Sequence, residues 1–405
     1  MNFIKAKIIL KLLVDTKAGA LGLMLLLAYV VPSLCYADKG ISVGYNNGAI
    51  QYLVDPEHKL TIDDVLAADK HAWQENTHQV PSFGFSPHTY WFRFSVPASA
   101  HNWILELDYG LLDQLDLYRV DAGNQVKKTK TGDQYNFSKR PVAHRAFLFP
   151  LSSTNQAQPY ILRVRSTSAI QLPLTLWPEM SFFEQDQFHF AEHGVYYGIV
   201  IVMALYNFFL FLRLRDRAYA FYVLYVITFA LTQLSLTGFA YQFLWPESPQ
   251  WNGRSIAVMT PLIVVASVIF VTDFLKLHSH YPFIYRLLRV QAVIGLSFAI
   301  GSTFLPYSTM IRCVAVLAIT CCLSIFMTSY YITLKTRHKY AIYFSTAWSV
   351  FLVGTVVLAM NKFGILPRTI LTESSAQIGS AIEIILLSFA LAERLHDANK
   401  RQLLG

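Results

Sequence analysis

YYGIVIVMALYNFFLFLRLRDRAYAFYVLYVITFALTQLSL, residues Tyr196 to Leu236, holds two apolar runs joined by a short basic turn, Arg213-Leu214-Arg215-Asp216-Arg217. A hydrocarbon core about 30 Å thick takes about 20 helical residues to cross. Lipid offers no partners to backbone amides, so a continuous apolar run must bond them within itself, as a helix. Two such runs set back to back around a charged turn make a helical hairpin through a bilayer, and that decides the class of the second half of the chain.

Outward from this hairpin the same pattern repeats. Helices are expected at about His193 to Leu212, Ala218 to Ala240, Ser255 to Leu275, Leu287 to Leu305, Met310 to Leu334, Tyr340 to Lys362 and Leu371 to Glu393. The 405 residues are 54% hydrophobic and only 14% charged, where a soluble protein carries nearer ~25% charge. The net charge of +8 comes from short Lys and Arg clusters between apolar runs, so lipid contact explains it and no nucleic acid is expected. Arg213, Arg215, Arg217, Lys276, Arg286, Arg289, Lys335, Arg337, Lys339, Arg394, Lys400 and Arg401 fall on alternate connections. By the positive-inside rule these face the cytoplasm, with the N-terminal part outside.

Upstream, residues 1–37 have the form of a secretion signal: Lys5, Lys7, Lys11 and Lys17, an apolar run from Leu21 to Val31, and small residues near Ala37. Residues 38–180 alternate apolar and polar positions in short runs broken by turns, as in Trp91-Phe92-Arg93-Phe94-Ser95-Val96. That is the pattern of an all-β sandwich or jelly roll, with Phe92, Phe94 and Val96 on one face. Residues 181–192 turn polar and acidic and are expected to form a juxtamembrane linker before the helical part, 193–394. A short cytoplasmic tail is expected over 395–405. Beyond the signal the cysteines are Cys313, Cys321 and Cys322, all in one apolar run, so neither disulfides nor a metal site is expected.

Beside this reading stands a resemblance. Tyr196 to Pro246, together with QIGSAIEIILLSFALAERL from Gln377 to Leu395, is similar to the first and last membrane helices of bacterial seven-transmembrane receptors with diverse intracellular signalling modules. YWFRF, LDYGLLDQLDLY and LPLTLWP, between Tyr90 and Pro178, resemble their periplasmic jelly-roll, carbohydrate-binding-like domain. The resemblance implies an inner-membrane sensor that binds a small periplasmic ligand, carbohydrate being one class, and relays the event inward. Members continue into an output domain. Here the sequence stops at Gly405, so two expectations stand: a separate cytoplasmic signalling protein reads the bundle, or the chain is a truncated relative.

Within the helices, Glu383 is the sharpest feature, because an ionisable group at membrane depth is costly unless paired. Ser375, Gly379 and Glu383 share one stripe, whose small residues admit a close neighbour. Asn207 and Gln233 are the expected hydrogen-bond partners of Glu383. On the sandwich, Arg93, Tyr118, Arg163, Arg165 and Trp177 are the candidates for ligand contact, since guanidinium forks and aromatic rings recognise carboxylates and sugars. The ordinary alternative for each is a solvated or packed sheet residue. Gly194 and Gly198 form a G-x-x-x-G, suited to a homodimer contact or to packing inside one bundle. No cofactor and no enzyme activity are expected, because no activated nucleophile or catalytic motif is present. The alternative function is a proton-linked transporter or channel using Glu383, disfavoured by the odd helix count and the lack of an internal repeat.

Overall fold

A computed structural model describes residues 40–43, 50–78, 80–121, 126–362, 366 and 370–404. The expected signal segment, 1–37, lies outside them. Among the described residues twelve strands precede the long helices: β1 (Ile41–Ser42), β2 (Gln51–Asp55), β3 (Gln74–Glu75), β4 (Ser82–Gly84), β5 (Thr89–Val96), β6 (Trp103–Leu107), β7 (Gln114–Val120), β8 (Val126–Thr131), β9 (Phe147–Leu151), β10 (Gln158–Arg165), β11 (Ile170–Gln171) and β12 (Leu174–Pro178). They form an antiparallel four-stranded sheet, β1-β12-β6-β9, and an antiparallel six-stranded sheet, β3-β2-β5-β10-β7-β8, with β4 and β11 as a small separate pair.

Alternation along each strand builds the sandwich. Phe92, Phe94 and Val96 of β5 enter a core shared with Leu105 and Leu107 of β6, Phe147 and Phe149 of β9, and Leu162 and Val164 of β10. The other face of the six-stranded sheet is also covered: Trp91, Tyr118 and Ile161 pack with Val65 and Trp73 from a short helical segment after β2. The outer face of the four-stranded sheet meets the bundle, where Ile104, Leu148 and Trp177 bury Phe182 of the first long helix.

Among the described residues seven helices are long and apolar enough to cross a membrane: α1 (Glu179–Leu214), α2 (Arg217–Leu236), α3 (Pro249–Phe274), α4 (Pro282–Gly301), α5 (Tyr307–Thr336), α6 (Lys339–Lys362) and α7 (Ser375–Leu404). Residues 181–192, expected as a juxtamembrane linker, form the opening turns of α1. Phe182 anchors this segment on the four-stranded sheet, and α1 starts at the residue after β12. Residues 395–404, expected as a tail, continue α7.

The tight turns away from the sandwich use Arg215, Lys276 and Arg337 in left-handed backbone, a conformation that costs a non-glycine residue about 1–2 kcal/mol. Basic side chains there lie next to helix carbonyl ends, which favours them. Inside the bundle a continuous core joins Tyr196, Tyr222, Val264, Phe270, Phe344, Trp348 and Leu387. α6 and α7 approach most closely at two glycines. A Cβ on Gly354 would stand 2.4 Å from the Ser375 carbonyl oxygen, and one on Gly379 would stand 3.1 Å from that of Val350.

Candidate functional site

α7 is held to α1 and α2 by a seam of polar contacts from one end of the bundle to the other. Ser374, just before α7, donates to Glu192 of α1. Gln377 Nε2 lies 3.2 Å from His193 Nδ1. One turn deeper the Tyr196 hydroxyl meets Ser380 Oγ at 3.0 Å, while Ser380 itself donates to the Gln377 carbonyl at 2.9 Å. Tyr225 donates to Glu383 Oε1 at 2.8 Å and Tyr222 to the Ile384 carbonyl at 2.7 Å. Asn207 and Ser388 exchange hydrogen bonds at 2.9 and 3.2 Å. Tyr219 reaches the Leu391 carbonyl at 3.4 Å. At the far end Arg394 lies between Asp216 and Asp273, 3.9 and 3.8 Å away, with its guanidinium over Phe274.

In the interior of the bundle these contacts satisfy polar side chains that would otherwise be left in hydrocarbon. Glu383 is fully enclosed, and its Oε2 has no hydrogen-bond partner among the described residues. Its partner is Tyr225, not Asn207 or Gln233. Counting rise along each helix gives depth only coarsely, and Gln233 lies two turns beyond Tyr225, about 12 Å nearer the sandwich. Asn207 is instead level with Ser388. Ser375 and Gly379 lie on the α6 side, with Ser375 Oγ donating to the Gly354 carbonyl at 2.9 Å. Sequence reasoning missed Tyr225, although Tyr219, Tyr222 and Tyr225 recur every three residues in a membrane helix. That spacing sets hydroxyls on one face and was the available signal.

The sandwich end of the seam is tied to the sheets. The segment between β8 and β9 packs on a short helix, Phe239–Phe243, and the loop after it. Phe137 N–H donates to the Pro246 carbonyl at 2.9 Å, Tyr241 donates to the Tyr135 carbonyl, and Asn136 Nδ2 donates to Glu247 at 2.7 Å. Arg140 is buried here. It donates to the carbonyls of His144 and Arg145 at 2.8 Å, and Phe137, Phe147 and Tyr241 surround its charge. Burial holds its pKa down at about 10. Arg145 donates to Asp108 Oδ1 at 2.6 Å and faces Phe239, which packs on His193 with ring centroids 5.0 Å apart. Asp108, Arg145, Phe239, His193 and Gln377 thus form one chain of contacts from sheet to α7. Gly238 makes this approach possible: its φ is +82° and a Cβ would stand 2.9 Å from the Arg145 carbonyl oxygen.

The sandwich candidates separate. Arg93, Tyr118 and Arg163 share the outer face of the six-stranded sheet. Arg93 lies over Trp73 and donates to Gln51, Tyr118 stacks on Trp91, and Arg163 pairs with Asp116 at 3.2 Å. Trp177 is buried, with its indole N–H donating to Glu106 at 2.8 Å. Arg165 alone opens onto a cavity of about 700 Å³ between sandwich and bundle, which Phe85, Asp113, Thr167, Ser308 and Arg312 also line. Gly194 and Gly198 face open space on α1.

Comparison with known proteins agrees with this architecture. A family model described as 7TM diverse intracellular signalling matches residues 190–394, and one described as 7TMR-DISM extracellular 2 matches residues 47–178. No curated protein matches the chain. The two matches follow the boundary between sheets and helices, and the chain belongs to the family of seven-transmembrane receptors with diverse intracellular signalling, as a multi-pass membrane protein with an extracellular domain of that family's second type.

Proposed function

We propose that this protein is a sensory receptor of a bacterial inner membrane, with its sandwich in the periplasm and its last helix ending in the cytoplasm. A small ligand on the sandwich side biases the junction around Arg145 and Phe239. α7 carries the change through the bilayer, where a separate cytoplasmic signalling protein reads it. The observation that carries the reading is the seam on α7, because one helix is bonded at every level from Ser374 to Arg394 and meets the sandwich through His193 and Phe239. A ligand then needs only differential affinity: ~3 kcal/mol of bias corresponds to about a hundredfold preference for one state.

The test uses the full chain in nanodiscs, with Cys313, Cys321 and Cys322 replaced and spin labels attached at His396→Cys and Arg213→Cys. The expected result is that Arg145→Ala, at the sandwich junction, shifts the distance distribution between these distant labels. An unchanged distribution, with the fold intact by circular dichroism, overturns relay through α7.

A further inference from the structure

We infer that the cavity between the sandwich and the start of α5 is an oxyanion site, which holds the carboxylate or phosphate group of a small ligand between Arg165 and Arg312. The inference rests on the receptor reading and supplies its ligand class. Arg165 ends β10 on the sandwich, whereas Arg312 lies in the second turn of α5, so the two guanidiniums reach the cavity from different domains. Neither has a carboxylate partner among the described residues. Arg312 is nonetheless held in place across the gap: it donates to the Phe85 carbonyl at 3.3 Å and lies over the Phe85 ring at 5.5 Å. That leaves most of its five N–H donors for a ligand.

The one carboxylate on the wall, Asp113, is bonded within the sandwich and pairs with neither arginine among the described residues. Its Oδ2 accepts from the Thr167 N–H at 2.9 Å, Thr167 Oγ1 at 2.8 Å and Gln134 Nε2 at 3.2 Å, and its Oδ1 from Ser166 Oγ at 3.2 Å, so neighbouring donors of the sandwich hold both oxygens. What remains facing the space is cationic and rich in donors, with Phe85 and Pro87 as an apolar wall. Guanidinium pairs suit planar or tetrahedral oxyanions. A volume of about 700 Å³ is in the range of small-molecule sites. A ligand touching both arginines staples sandwich to α5, which is how binding gains the differential affinity the receptor needs.

The experiment uses the full chain in phosphatidylcholine nanodiscs, with citrate and inorganic pyrophosphate as probes. Calorimetry measures binding, and protection of Arg165 and Arg312 from phenylglyoxal is followed by mass spectrometry. Saturable binding is expected, with both arginines protected. Arg165→Gln and Arg312→Gln should each weaken it about tenfold or more, the loss of one charge-assisted contact. Arg119→Gln, elsewhere on the sandwich, leaves it unchanged. If protection requires phosphatidylglycerol in the disc and both arginines, the oxyanion site stands and a lipid headgroup is its source. The inference is overturned if neither probe nor lipid protects the arginines, or if binding survives both substitutions. Overturning it in that way, with the spin-label response to Arg145→Ala intact, leaves the receptor reading standing.

Discussion

Tyr225 and Glu383 meet in the interior of the bundle, with the hydroxyl donating to Oε1 over 2.8 Å and both side chains closed off from the surface. Removing the hydroxyl leaves a carboxyl group with no protein partner where water cannot replace it. Tyr225→Phe is therefore expected to destabilise the bundle by about 1–3 kcal/mol, and a double-mutant cycle with Glu383→Gln should show coupling of roughly 0.5–2 kcal/mol. Thermal melts in detergent give both values. A coupling of zero would mean that the seam does not act through this pair. The same Glu383→Gln protein in liposomes tests the transporter alternative, since solute uptake by the native chain that this substitution abolishes would favour transport.

Arg140 joins sandwich and bundle by a different means, a buried cation enclosed by three aromatic rings and two carbonyls. Arg140→Ala loses those hydrogen bonds and the ring contacts, a cost of about 2–4 kcal/mol. Arg140→Lys keeps the charge but not the fork, and should recover less than half of it. Limited proteolysis between residues 132 and 146 should speed up in step with the loss of stability.

How far the sequence discloses this architecture depends on range. Period-two alternation placed Phe92, Phe94 and Val96 in the core, because burial follows from strand geometry alone. Apolar run length located seven membrane helices for the same kind of reason. Contacts between distant elements are another matter. Arg140 and Arg145 sit in an irregular segment whose partners, Tyr241 and Phe239, lie about a hundred residues away, and no local pattern announces them. Depth within the bilayer is legible to within a turn or two. That margin separates Gln233 from Tyr225 and explains the misassigned partner of Glu383. The cavity beside Arg165 depends on α5 coming under the sandwich, which strand patterning does not encode.

Asp133 gives the sandwich a pH dependence. It is buried beside Asp113, and burial together with that neighbouring charge pushes its pKa up to about 8 despite the opposing pull of Arg140. In the unfolded chain it titrates near 4. Between about pH 4 and 8 the folded form keeps a proton that the unfolded form has lost, so stability falls as pH rises through this window and levels off above it. The slope from this one group is at most about 1.4 kcal/mol per pH unit. Asp133→Asn should flatten the melting-temperature profile and be the more stable protein at pH 8. A native profile that rises from pH 5 to 8 would contradict the assignment.

Gly354 and Gly379 set the distance between α6 and α7. Gly354→Val places new atoms against the Ser375 carbonyl, where even a Cβ stands at 2.4 Å. The helices must separate, at about 1–3 kcal/mol for overpacking. Gly198→Val, which faces open space on α1, is the control and should change stability little. Equal melting temperatures for the two variants would mean that α6 and α7 are not packed this closely.

Arg394 closes the seam at the end away from the sandwich, and its contacts are the weakest in it. Its nitrogens stand 3.9 Å from Asp216 and 3.8 Å from Asp273, longer than a good charge-assisted hydrogen bond, and both carboxylates are partly exposed. Such pairs contribute about 0–1 kcal/mol. A low cost of opening suits the end of α7 that must change state, whereas the enclosed Tyr225–Glu383 and Asn207–Ser388 contacts suit a stem that must not come apart. Arg394→Gln should therefore shift the melting temperature little, yet raise amide exchange from about Leu391 to Asp397 without altering exchange near Glu383. High salt should do the same to the native chain by screening the two ion pairs. If Arg394→Gln instead loosens the whole of α7, the helix does not divide into a firm stem and a releasable end.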